Sequence, residues 1–142
     1  MIYLDTGCLV KLYHPEPDSH KVAALVVGKP ICFTPLHELE FTNALHLKLF
    51  HQGGTLAQVQ GAAALVEEDV KAGALVSSLA NWEEIFRAAT ALARQHSASF
   101  GCRSLDVLHC AAASVLGASE FLSTDARQKQ LAAAMGLTLV SF

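Results

Sequence analysis

Four carboxylates stand where structural needs alone do not put them: Asp5, Glu40, Asp106 and Asp125. Asp5 follows the apolar run Ile2-Tyr3-Leu4 and Asp125 follows Phe121-Leu122-Ser123. Both therefore fall at the C-terminal ends of expected strands, the edge at which open α/β sheets bind ligands. Each also has an ordinary reading, an Asx turn for Asp5 and a helix N-cap for Asp125. Glu40 shares a helical face with Leu36, Ala44 and Leu47, which turns it toward apolar packing, where an unpaired carboxylate is costly. Asp106 is the only acid between Ser104 and Ser119, in a run apolar nearly all round. The dipole of a first helical turn explains its place but not its burial. Four acids brought to one pocket repel one another unless a cation sits among them, and oxygen ligands without a His or Cys array select a hard ion, Mg²⁺ or Mn²⁺. Such an ion keeps several waters, a nucleophile source for in-line attack on a phosphodiester. The same repulsion predicts that Asp5→Asn or Asp125→Asn leaves the metal-free protein equally or more stable.

Thr6 and Thr124 adjoin two of the acids, as hydroxyls that either orient a carboxylate or a metal-bound water or close a turn. Lys11, Arg103 and Arg127 lie near the acids in sequence and are candidates for holding substrate phosphates or for solvated surface charge. The seven histidines contain no HxxxH or HExxH array, which argues against zinc or a triad. His109, one turn after Asp106, reads as a packed helix residue that could also line the site. No glycine-rich phosphate loop is present.

The elements that must position these groups follow from periodicity. Apolar runs at Ile2–Leu4, Ile31–Thr34, Ala74–Leu79, Phe121–Ser123 and Leu137–Val140 read as strands. Helices are expected over Cys8–Leu12, from Asp18 or Ser19 to about Val27, and from Pro35 to Gln52. Four more are expected: behind Thr55 (stripe Leu56, Val59, Ala63, Val66, Val70), behind Asn81 through His96, from a Ser104 cap to Leu116, and over Ala126–Met135. Strands separated by helices imply a three-layer α/β/α domain, with a central, mainly parallel sheet of four to five strands covered on both faces.

At 142 residues the chain is expected to form one domain, 1–142. Hydrophobic residues make up 52% and charged residues 16%, against roughly 45–50% and 25% in an average domain, which excludes disorder. No apolar stretch is long enough to span a bilayer, and Met1-Ile2-Tyr3-Leu4-Asp5 offers neither the basic residues nor the apolar run of a signal peptide, so a cytoplasmic location is expected. Cys8, Cys32, Cys102 and Cys110 form no CxxC pair and read as reduced core residues. The formal charge is −3; without the four acids the rest of the chain carries +1, a balance compatible with a phosphodiester substrate.

Taken in order, Tyr3-Leu4-Asp5-Thr6 through Val10-Lys11-Leu12-Tyr13, Thr34-x-Leu36-x-x-x-Glu40-x-x-x-Ala44-Leu45, Arg103-Ser104-Leu105-Asp106-x-Leu108-His109-x-Ala111-Ala112 and Phe121-Leu122-Ser123-Thr124-Asp125 resemble the PIN domain in its VapC-type toxin form. The resemblance covers essentially the whole chain. It implies a PIN-like fold with Asp5, Glu40, Asp106 and Asp125 as metal-binding acids and Thr6 and Thr124 as supporting hydroxyls. It further implies a Mg²⁺- or Mn²⁺-dependent endoribonuclease, a homodimer, and a cognate VapB-like antitoxin. One departure is Gly7, where many relatives carry Asn or Ser, so a polar contact near Asp5 is weakened. Two other readings stand beside it. One is a PIN-fold binding or regulatory module with little turnover. The other is an aspartyl-nucleophile phosphatase, which needs a second acid where this chain has Gly7.

Overall fold

Short strands alternate with helices along the chain, and in the computed structural model, which describes residues 1–141, they assemble into one sheet. The strands are β1 (Ile2–Leu4), β2 (Ile31–Phe33), β3 (Leu75–Ser77), β4 (Glu120–Leu122) and β5 (Leu139–Val140), in spatial order β3-β2-β1-β4-β5. Every pairing is parallel, so the expectation of a mainly parallel sheet sharpens to five strands running one way. The helices are α1 (Thr6–Tyr13), α2 (Ser19–Val26), α3 (Pro35–Phe50), α4 (Leu56–Ala72), α5 (Trp82–Leu92), α6 (Ala98–Phe100), α7 (Ser104–Val115) and α8 (Ala126–Ala134).

Strand side chains alternate between faces, and the core divides accordingly. Ile2, Leu4, Ile31, Phe33, Leu75 and Leu122 meet α1, α2, α4 and the middle of α3 on one face. Tyr3, Cys32 and Phe121 meet α5, α7, α8 and the start of α3 on the other. This is the three-layer arrangement expected from the sequence. α7 is buried along most of its length, from Asp106 to Ala113, which is why its sequence shows no polar face.

Caps explain where the helices start. Asp5 Oδ1 accepts the Cys8 N–H at 2.6 Å and so begins α1 two residues earlier than its apolar pattern suggests. Thr34 ends β2 and caps α3 with Pro35 at the first position. Thr55, Asn81 and Asp125 cap their helices as expected. Ser104 does not: Arg103 holds the cap position of α7, and its backbone N–H is taken by Asp106 Oδ2 at 3.0 Å. The helix expected to close near His96 continues through a π-helical turn, Ala93–Ser97, into α6, because no breaker intervenes before Gly101, whose φ of 66° ends it. On α4 the buried positions are Val59, Ala62 and Val66, so the packing stripe runs through Ala62 in place of Ala63. Three of the cysteines are buried as expected, whereas Cys102 is partly exposed at the loop before α7.

Candidate active site

Parallel register brings the first two acids together. Leu4 pairs with Leu122, so the residues that follow, Asp5 and Ser123, leave adjacent strands side by side, and the Asp5 N–H bonds the Leu122 carbonyl at 2.9 Å. Ser123 Oγ donates to Asp5 Oδ2 at 2.5 Å and accepts the Asp125 N–H at 3.0 Å. One buried hydroxyl thus ties both strand ends. Glu40 arrives from α3, which follows the neighbouring strand β2, and Asp106 from the first turn of α7. All four carboxylates line one open cleft of about 540 Å³, together with Thr6, Gly7, Arg103, His109, Thr124 and Gln128.

Each acid is already compensated. Asp5 is buried between the Cys8 N–H and the Ser123 hydroxyl. Glu40 Oε2 accepts from the Thr6 hydroxyl at 2.7 Å and from His109 Nε2 at 2.5 Å. Burial works to raise the Glu40 carboxyl, but the His109 hydrogen bond and charge, with Thr6, outweigh it and leave the group below its ordinary value. Asp106 is gripped by its neighbour Arg103: Nε reaches Oδ2 at 3.1 Å and Nη2 reaches Oδ1 at 3.3 Å. The same Nη2 stands 3.6 Å from Asp125 Oδ2. For Asp125, partial burial again pushes up, and the Gln128 and Arg127 N–H groups with the two guanidinium charges pull the carboxyl down. The carboxylate cluster is therefore not the purely repulsive one expected from sequence. Asp125 is stabilised in its charged form, so the expectation that Asp125→Asn leaves the metal-free protein no less stable is corrected: the protein donors already do part of a cation's work.

Among the described residues no three His, Cys, Asp or Glu side chains are grouped tightly enough to hold an ion as they stand. The Arg103 guanidinium lies between two of the acids, and the other two are tied to opposite donors.

Of the remaining sequence candidates, Thr6 is buried and serves Glu40, while Thr124 is exposed on the cleft wall. Arg127 stands at the rim, its Nη1 3.4 Å from the Gly101 carbonyl. Lys11 does not line the cleft; its ammonium is held by Glu16 at 2.8 Å in a neighbouring hollow shared with Lys48. At Gly7 an added Cβ would meet Asp5 Oδ1 at 3.6 Å, so the position faces the acid and is open. Glu40 is not packed into apolar surroundings as its helical face suggests: its side chain is 22% exposed and Leu47, on the same face, is itself 46% exposed.

The sequence singled out neither Tyr3 nor Ser123, and it gave His109 low weight. Their signals were faint: a serine beside an acid, a tyrosine inside a strand, and a histidine three residues after Asp106 on the same helical face.

A family model for the PIN domain matches residues 2–134. The chain belongs to the PIN domain family. Among curated proteins none matches it in sequence. In fold, this PIN domain is similar to the crystal structure of FitAcB from Neisseria gonorrhoeae, with 14% identity, a TM-score of 0.65 and coverage of 99% of this chain and 97% of that one. It is likewise similar to VapBC2 from Rickettsia felis bound to a DNA fragment from their promoter, with 17% identity, a TM-score of 0.64 and coverage of 99% and 98%. At these identities the likeness shows the fold of this PIN domain and nothing finer.

Proposed function

We propose that this PIN domain is a metal-dependent endoribonuclease, the toxin of a toxin-antitoxin pair, with Asp5, Glu40, Asp106 and Asp125 as the residues that hold Mg²⁺ or Mn²⁺. The observation that carries the reading is the meeting of four carboxylates, from four separate segments, in one open cleft at the C-terminal edge of the sheet. The donors are all carboxylate oxygens with hydroxyls behind them, which fits a hard divalent ion and not zinc. Bound there, the ion supplies Lewis acidity and an activated water for in-line attack on a phosphodiester.

The chain's own residues do the rest. Ser123 and the Cys8 N–H fix Asp5, and Thr6 fixes Glu40. Thr124 is placed to hydrogen-bond a group entering the cleft. Arg103, whose side chain is 68% exposed, can leave the acids and grip a phosphate, with Arg127 beside it at the rim. Lys11 contributes least, since Glu16 already holds it. The resemblance to VapC-type toxins implies a VapB-like antitoxin partner and a homodimer, and the fold likeness to VapBC2 supports the antitoxin. Among the described residues no helix is long and apolar enough to cross a membrane, and we place the protein in the cytoplasm.

The deciding experiment is cleavage of RNA by the purified protein in Mn²⁺ or Mg²⁺, alongside Asp106→Asn. Cleavage should stop on chelation and fall to that metal-free level in the variant, with its melting curve still cooperative. Cleavage that survives EDTA or Asp106→Asn overturns the metal site. Metal binding without any cleavage would instead favour the binding-module reading.

A further inference from the structure

Glu40 differs from the other acids of the cleft in being held by side chains alone. Asp5 and Asp125 accept backbone N–H groups and Asp106 is held by an arginine, whereas both hydrogen bonds to Glu40 come from side chains and both fall on Oε2. A carboxylate can only accept, so His109 Nε2 carries a proton. The other ring nitrogen, Nδ1, lies 2.9 Å from the Tyr3 hydroxyl. His109 and Tyr3 are both buried, so neither group is oriented by solvent.

The rings behind this chain leave it little freedom. Tyr3 stacks on Phe121 at 5.8 Å and stands edge-on to His109 at 5.7 Å. His37 packs against both, at 4.7 Å and 5.2 Å. His37 is itself fixed, because its Nε2 must donate to the Leu4 carbonyl at 2.8 Å while Nδ1 faces Thr34. Burial of polar side chains at this density is tolerated only where the donors and acceptors match, and here they match in one sense along the path from Tyr3 to Glu40.

We propose that His109 is a positioning residue for Glu40, donating from Nε2 to Oε2 with the Tyr3 hydroxyl seated on Nδ1, so that this buried pair orients the carboxylate before any ion arrives. The proposal rests on the reading of Glu40 as a metal ligand. Its physical content is preorganisation: a ligand held by a locked neighbour loses less freedom on binding, and removing such outer partners typically weakens a site about 10- to 100-fold.

Two measurements on the full chain test it. In the metal-free protein, long-range proton–nitrogen NMR of the imidazoles should show His109 Nε2 protonated, in either charge state of the ring; a bare Nε2 overturns the proposal whatever the protein does with metal. In calorimetric titration with Mn²⁺ alone, His109→Leu should bind about tenfold more weakly than the parent. His109→Gln, whose amide nitrogen can replace Nε2, should recover most of that loss. Tyr3→Phe should show a smaller loss and a His109 tautomer no longer fixed. Equal affinity in the parent and His109→Leu, or equal losses in Leu and Gln, reduces His109 to packing and overturns the proposal. Should His109→Leu fail to fold, Tyr3→Phe decides: parental affinity with an unchanged tautomer also overturns it. Absence of Mn²⁺ binding to the parent is a different result, since it sinks the metal reading while the NMR still reports the pairing.

Discussion

The two flanks of the cleft solve the same electrostatic problem in opposite ways. On the inner flank, Asp5 and Glu40 are fixed by Ser123, Thr6 and His109, groups that are buried and held by the core. On the outer flank, Asp106 and Asp125 are neutralised by Arg103, whose side chain is mostly in solvent while that of Asp106 is only 9% exposed. Buried hydrogen bonds in a low-dielectric setting are strong and costly to break, whereas an exposed guanidinium pair is screened and cheap to release. One flank is therefore a fixed half-site and the other is closed by a cation that can depart. On the proposed reading, such an arrangement would let the carboxylates crowd without metal and still admit one.

Breaking the inner flank should cost most. Ser123→Ala strands both the Asp5 carboxylate and the Asp125 N–H, and urea unfolding should show a loss of about 2 kcal/mol. A loss of only a few tenths would mean that this flank is no more rigid than the other. Next comes acid. Burial pushes His37 down to about 3 from the ordinary 6.5, so below pH 6.5 the unfolded chain takes up a proton that the native state refuses. Stability should accordingly fall as pH falls through that window, by somewhat over about 1 kcal/mol between pH 7.5 and 5.5. Glu40, held below its ordinary 4.5, adds its own loss only when unfolded carboxyls begin to protonate. His37→Gln should be less stable throughout but lack the slope above pH 5; an unchanged slope would assign it elsewhere. The smallest effect on folding belongs to Arg103→Ala, whose metal-free melting temperature should barely move. Its Mn²⁺ affinity should rise about two- to fivefold, because the competing guanidinium is gone. Weaker Mn²⁺ binding would instead make Arg103 a support of the site and erase the contrast between the flanks.

Much of the fold was legible from residue types at their spacing. The strand Ile2-Tyr3-Leu4 closed by Asp5, the Pro35 start of α3 and the caps at Thr55, Asn81 and Asp125 all depend on local chemistry, which a linear sequence carries. The start of α7 was less clear because its cap is a reciprocal contact between Arg103 and Asp106, not the adjacent serine. The path of the chain from Ala93 to Phe100 was not legible either, since a π-helical turn leaves no compositional mark.

For the site, the sequence by itself determined which groups are available: four acids in four segments, with two of them at strand ends. Side-chain type and strand polarity settle that without any knowledge of neighbours. What surrounds each acid was decided only by tertiary structure. Ser123 meets Asp5 across 118 positions and His109 meets Glu40 across 69. Such contacts depend on parallel register and on the packing of α7 against the sheet, which no local pattern encodes. The sequence could count the charges in the cleft. Only the fold could show that Arg103 and His109 already answer them, because compensation depends on distance and burial, not on composition.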